Sequence, residues 1–166
     1  FIGDVPAYVK ARGVTVENIL KLMQEDHSKY KLMEHKLGQN RTSLAGKIPE
    51  INKTIENVEY LKTKLSEEGE GFETNFGLTE SVFCEAVVPA QKTCHLWLGA
   101  NTMVEFTFDE ALALLNKNKV AAKTNLANTM EDLSWLKDQM TILEVNTARV
   151  YNFDVVERRK QKKEEK

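Results

Sequence analysis

The sequence predicts an α+β chain: a long antiparallel two-helix coiled coil with a small β region, two hairpins, at the turn between the helices. Three observations predict it. A seven-residue apolar repeat fills the stretch after residue 15, a second fills the stretch after residue 109, and between them "CHLWLGANTMVEFTF" (94–108) reads as paired strands.

Residues 1–14 hold Pro6, Gly3 and Gly13 and read as an irregular arm. Thr15 is the expected N-cap of the first helix, 15–66, although Asn18 three positions on does not complete a capping box. From there Val16, Met23, Tyr30, Leu37, Leu44, Ile51, Val58 and Leu65 recur every seven residues without a gap. At 42% hydrophobic content, eight such hits arise by chance in roughly one register in a thousand. The companion seam is patchier. Leu20, Ile48 and Ile55 fit it, His27, Glu34 and Arg41 do not, and Ile19, Met33 and Leu61 stand one position earlier. That drift suits a hairpin of two helices better than a symmetric zipper. Pro49 removes one helical hydrogen bond, yet the repeat keeps its phase across it, so the reading is one kinked helix, roughly 75 Å long at 1.5 Å per residue.

The β region spans 67–108. Glycines and acids in "SEEGEGFETNFG" (66–77) break the first helix, and a short strand is expected around Phe76–Thr79. "SVFCEAVVP" forms the next strand, "AQKT" turns the chain, and "CHLWLGA" and "TMVEFTF" make a hairpin around Gly99–Asn101. Val104, Phe106 and Phe108 fall on one face of the last strand. Asp109 is the expected N-cap of the second helix, 109–155. Its seams are Leu112, Lys119, Leu126, Leu133, Met140, Thr147 and Leu115, Ala122, Thr129, Leu136, Leu143, Val150. The tail 156–166, with "ERRKQKKEEK", has no apolar stripe and is expected to fray into solvent.

Val82, Phe83, Val87, Leu96, Trp97, Leu98, Val104, Phe106 and Phe108 are more large apolar groups than two short hairpins can hide. Uncovered strand edges and apolar faces are aggregation hazards. The economical solution is for other chains to bring the same unit, so that the strands close into an intersubunit β-barrel. A private core between the helix ends is the competing reading.

The order of elements, "WLGANTMVEF" between the helices, "IPEI" in the first helix and "ARVYNFDV" in the last resemble prefoldin, and in particular its α-class subunits. The resemblance covers Val5 to Val155, and the extra strand pair before Cys94 is what sets the α class apart. The resemblance implies a hexamer of two α-class and four β-class subunits with a double β-barrel platform and six projecting coiled coils. It implies an ATP-independent cytosolic chaperone that holds unfolded actin and tubulin and passes them to the cytosolic chaperonin. In that arrangement the ends of the coiled coil bind client. The candidates are Val16, Ile19, Leu20 and Met23 beside Val150, Tyr151, Phe153 and Val155. Val16 and Val150 read rather as the last steps of the helix–helix seam, whereas Tyr151 and Phe153, just off the repeat, suit seam and client contact equally. The alternative function is a structural coiled-coil scaffold in another multiprotein complex.

The residues point to no reaction. "SLAGK" ends like a phosphate loop, but Arg41 stands where its first Gly is needed. His27, His35 and His95 are scattered, and Cys84 and Cys94 lack metal or redox spacing, so no cofactor and no catalytic residue is expected. His27 reads as a seam histidine, and pairs such as Glu17–Lys21 as a solvated helix face. Two Asn-x-Thr sequons, at Asn40 and Asn52, fall within the helical pattern and read as chance matches. A net charge of −2 and the lack of an 18-residue apolar run give no pull toward membrane. The start "FIGDVPAYVK" has no signal-peptide pattern, and because it opens without Met, further residues upstream are allowed for. The expected compartment is the cytoplasm. "RRKQKK" keeps open a nuclear role, whereas its flanking glutamates dilute any field for nucleic acid.

Overall fold

A computed structural model describes residues 1–67 and 71–164. Residues 68–70 of the expected helix break and 165–166 of the expected tail lie outside the described residues. The element order is α1 (Val5–Arg12), α2 (Val16–Glu67), β1 (Phe72–Gly77), β2 (Phe83–Val88), β3 (Thr93–Gly99), β4 (Thr102–Thr107) and α3 (Phe108–Glu164). The long helices and the two antiparallel hairpins are those the sequence predicts. The chain divides into two compact units, residues 44–126 and residues 1–43 with 127–166.

Helix α2 passes through Pro49 without interruption. Pro49 has no N–H to offer the preceding turn, a loss of about 3 kcal/mol in an isolated helix interior. Burial of the seam on both sides offsets it: Leu44, Ile48 and Ile51 are half-buried and Ile55 is buried. All eight positions of the heptad from Val16 to Leu65 are at least half-buried, whereas Met33, on the drifting seam, is exposed.

In the unit of residues 44–126 the core is Val58, Leu65, Phe108 and Ala111, joined by Leu61, Leu112 and Leu115 from the helices and by Phe72, Cys94, Leu96 and Phe106 from the strands. The two helices run antiparallel here, with Lys62 Nζ 2.6 Å from Asp109 Oδ1. Each sheet has two strands. In the first, Phe72 pairs with Val88 and Gly77 with Phe83; in the second, Cys94 pairs with Phe106, Leu96 with Val104 and Trp97 with Met103. The β3–β4 turn places Ala100 (φ 48°) and Asn101 (φ 58°) both in the left-handed region, the geometry whose twist matches a two-residue hairpin. Gly71 (φ 79°) lets β1 begin hard against β2, since a Cβ there would collide with the Val88 carbonyl oxygen.

Several local expectations are corrected. Phe108 is not a strand residue: it opens α3 and is buried in the core. The cap of α3 is Thr107 rather than Asp109. Thr107 Oγ1 accepts from the Glu110 N–H at 3.3 Å, and Glu110 Oε2 accepts from the Thr107 N–H at 3.1 Å, a reciprocal capping box. Val82 lies in the β1–β2 connection, where its carbonyl accepts from the N–H groups of Leu78 and Thr79, and β1 begins at Phe72 rather than near Phe76. Helix α3 continues nine residues past Val155, to Glu164. Arg158 explains part of that extension. Its guanidinium bridges Asp154 one turn back (2.8 Å) and Glu17 on α2 (2.7 Å), so Glu17 is held across the helix pair rather than along its own face.

In the other unit α2 and α3 again run antiparallel. His27 Nε2 lies 3.2 Å from Glu144 Oε1, and Thr147 Oγ1 lies 3.6 Å from Met23 Sδ. The arm expected to be irregular holds helix α1. Asp4 caps it by accepting from the Ala7 N–H, Pro6 sits in the first turn where its missing N–H costs nothing, and Gly13 closes it in the left-handed region (φ 62°).

Candidate functional site

Two surfaces carry the candidate residues, and each lies within one unit. On the β3–β4 hairpin the pleat divides the side chains. Cys94, Leu96, Val104 and Phe106 share one half-buried face, and Cys94, Leu96 and Phe106 pack on the helix core. Burial pushes the Cys94 thiol up from its ordinary pKa, which makes it a weaker nucleophile. His95, Trp97, Met103 and Glu105 are on the opposite face, where Trp97 is 59% exposed. A bulge between Trp97 and Gly99 leaves Leu98 exposed as well. On the β1–β2 hairpin Phe83 and Val87 are exposed, as is Val82 in the connection. The structure therefore divides the nine residues assigned to the intersubunit barrel. Phe108 belongs to the core, Leu96, Val104 and Phe106 face inward, and Val82, Phe83, Val87, Trp97 and Leu98 face outward. Phe76, Leu78 and Met103 join the outward set. Phe76 and Met103 follow from the pairing register, Phe76 opposite Cys84 and Met103 opposite Trp97, which the sequence alone does not supply.

The second surface lies where the start of α2 meets the end of α3. Ile19, Met23 and Val150 form a buried cluster, with Ile19 1% and Val150 0% exposed. Val16 and Leu20 pack on it and are half-buried. Of the eight residues expected to meet a client, Ile19, Met23 and Val150 are thus withdrawn. Phe153 and Val155 are half-buried, and Tyr151 is freely exposed. The physical reason is α1, whose Val5, Tyr8 and Val9, with Ile2 before it, lie on that cluster. A signal for α1 is present in the sequence: Asp4 and Pro6 start a helix, Gly13 stops it, and apolar residues recur at 2, 5, 8 and 9. Away from α1 a groove of about 560 Å³ remains open. Leu20, Met23, Ala148 and Tyr151 give it apolar walls, and Gln24, His27, Glu144 and Thr147 complete its lining.

Among the described residues, no group of three or more His, Cys, Asp or Glu is placed to hold a metal ion, and no helix is long and apolar enough to cross a membrane. What the surfaces offer is apolar contact area with sparse polar groups at its margin.

Comparison with known proteins decides the family. The prefoldin family model, described as prefoldin subunit, matches residues 30–153. Prefoldin subunit 3 of Mus musculus is 45% identical over 161 residues, covering 96% of this chain and 82% of the relative.

The chain belongs to the prefoldin family.

The human prefoldin subunit 3 is likewise 45% identical over 161 residues, with 96% and 81% covered, and the probable prefoldin subunit 3 of Dictyostelium discoideum is 38% identical over 162 residues, with 98% and 80% covered. The fold is shared with a chain of the filamentous PFD from Methanocaldococcus jannaschii. The TM-score is 0.59 at 18% identity, over 74% of this chain and 98% of that one. The chain is therefore a prefoldin-type chaperone subunit, of a family that works by binding rather than by catalysis.

Proposed function

We infer that the chain is a subunit of a hetero-hexameric holding chaperone that works without ATP and joins its partner subunits through the two hairpins. The observation that carries this is the outward hairpin surface. Phe76, Leu78, Phe83, Val87, Trp97, Leu98 and Met103 are all exposed on or beside sheets of only two strands. A solvated hairpin has no use for so many, and unpaired edges invite strand addition. Two α-class and four β-class subunits closing a double barrel would cover them. By family resemblance the clients are unfolded actin and tubulin, the recipient is the cytosolic chaperonin, and the compartment is the cytosol.

Client contact falls to the surface around Tyr151 and its groove. One such contact is weak, since a buried large apolar side chain is worth about 1.5–3 kcal/mol. Several subunits gripping one chain gain through effective concentration. A scaffold role is favoured by one observation, that Ile19, Met23 and Val150 are covered. The two readings separate in one assay: light scattering of a chemically denatured client diluted, without nucleotide, into the complex purified with its partners. A holding chaperone suppresses the scattering. Removing residues 1–22 and 151–166 then abolishes most of that protection and leaves subunit stoichiometry intact, because none of those residues belongs to the core beneath the hairpins. Equal protection by both forms would make this subunit's part architectural.

A further inference from the structure

We propose that residues 1–14 are a displaceable cover, in which α1 occupies the apolar ridge of Ile19, Met23 and Val150 and gives way to an apolar segment of an unfolded client. The proposal rests on the holding function above and adds to it a means of regulating access.

The fit between cover and ridge is specific. Ile2, Val5, Tyr8 and Val9 pack on the cluster of Ile19, Met23 and Val150, and Tyr8 and Val9, three and four residues after Val5, share with it one face of α1. A polar latch fixes the register. The Ile2 N–H donates to Asn146 Oδ1 at 2.8 Å, and Arg149 Nη1 donates to the Ile2 carbonyl at 2.7 Å. The Arg149 guanidinium also lies 6.0 Å from the centre of the Phe1 ring. The ridge thus already holds, from its own chain, what an unfolded polypeptide supplies: apolar anchors at helical spacing and free backbone polar groups.

The same structure makes the cover easy to release. No residue of α1 is fully buried. Eight residues are too few for a helix to persist alone, so α1 exists by virtue of its docking. Gly13, in the left-handed region, and exposed Val14 join it to Thr15, the residue before α2. Segments with few buried contacts open first.

Met23 connects the cover to the open groove. It belongs to the ridge beneath α1 and also lines the groove beside Tyr151 and His27. A client segment entering the groove therefore meets a side chain that supports α1. Undocking then adds Ile19 and Val150 to the grip. With no client bound, the cover keeps that ridge from other apolar surfaces.

The experiment uses the complex purified with its partners in four forms: wild type, a deletion of residues 1–14, Val5→Asp with Val9→Asp, and wild type with denatured client bound. In hydrogen exchange, amides of residues 8–12 are protected in the free complex and lose that protection several-fold when client binds. The deletion and the double variant both hold client at several-fold lower complex concentration than wild type. A peptide of residues 1–14 binds the deletion complex and reverses that gain, and the same peptide carrying Val5→Asp and Val9→Asp does neither. Unchanged or weaker capture by both variants would overturn the proposal, since α1 would then be part of the gripping surface or only a brace. Protection that persists with client bound would overturn it too. If no form holds any client, the holding function itself fails. Peptide binding to the deletion complex then still decides whether the ridge is an exchangeable site, and its absence overturns the cover.

Discussion

Trp97 is the residue whose loss should separate assembly from folding. It is 59% exposed on the outward face of β3, opposite Met103. A Trp side chain offers up to about 250 Å², so roughly 150 Å² of Trp97 remains for a partner subunit to cover. At about 25 cal/mol per Å² that is near 4 kcal/mol, or almost a thousandfold in the association constant. Trp97→Ala forfeits most of it. Trp97→Asp goes further, because a carboxylate carried into an apolar interface without a partner costs several kcal/mol more. Neither change touches the core of Val58, Leu65, Phe108 and Ala111 beneath the opposite face of the hairpin. The isolated subunit should therefore keep its circular dichroism and its thermal midpoint within a few degrees, while native mass spectrometry of co-expressed subunits shows the complex lost. A Trp97→Asp subunit found in the complex at normal stoichiometry would refute the assignment of that face to assembly.

Phe106→Asp should behave differently from Trp97→Asp. It places the carboxylate against the chain's own core, so the isolated subunit itself should lose thermal stability. Phe108→Ala should cost about 3–5 kcal/mol in chemical denaturation, as for a buried Phe, and a cost below about 1 kcal/mol would contradict its place in the core. Thr107→Ala should remove about 1 kcal/mol by unmaking the cap of α3. Glu110 adds a pH signature. The Thr107 hydroxyl first, and its backbone N–H second, hold the Glu110 carboxyl below its ordinary pKa. Its contribution is complete above the ordinary carboxylate range and is lost as pH falls through the lowered value. Stability curves of wild type and Glu110→Gln should therefore converge at acid pH, and curves that stay parallel would exclude the linkage.

The two long helices were legible because their signal is redundant. Eight consecutive heptad hits from Val16 to Leu65 and the paired seams from Leu112 to Val150 outweigh any single misfit, Pro49 included. The second hairpin was legible for a similar reason, since its turn and its alternation agree. The ends of elements were harder, because one or two residues decide them. Thr107 and Asp109 are both good caps, and only the position of Glu110 three residues after Thr107 chooses between them. Helix α1 was harder still, because Pro6 and Gly13 have the look of breakers in an irregular arm and yet stand at its first turn and its C-cap.

By itself the sequence determined periodicity, and with it two long amphipathic helices around paired strands, because side-chain spacing along a helix or strand is a property of the local backbone. Which apolar residues are covered is a property of what lies opposite them, and that only the tertiary structure decided. Leu96 and Trp97 are neighbours in the chain, yet the pleat turns one toward the helix core and the other outward. Ile19 and Tyr151 both sit at the meeting of α2 and α3, yet α1 packs over the cluster that holds Ile19 while Tyr151 stays exposed. Local chemistry made all four apolar surface available for burial, and the register of strands and the docking of an eight-residue helix divided them between core and contact.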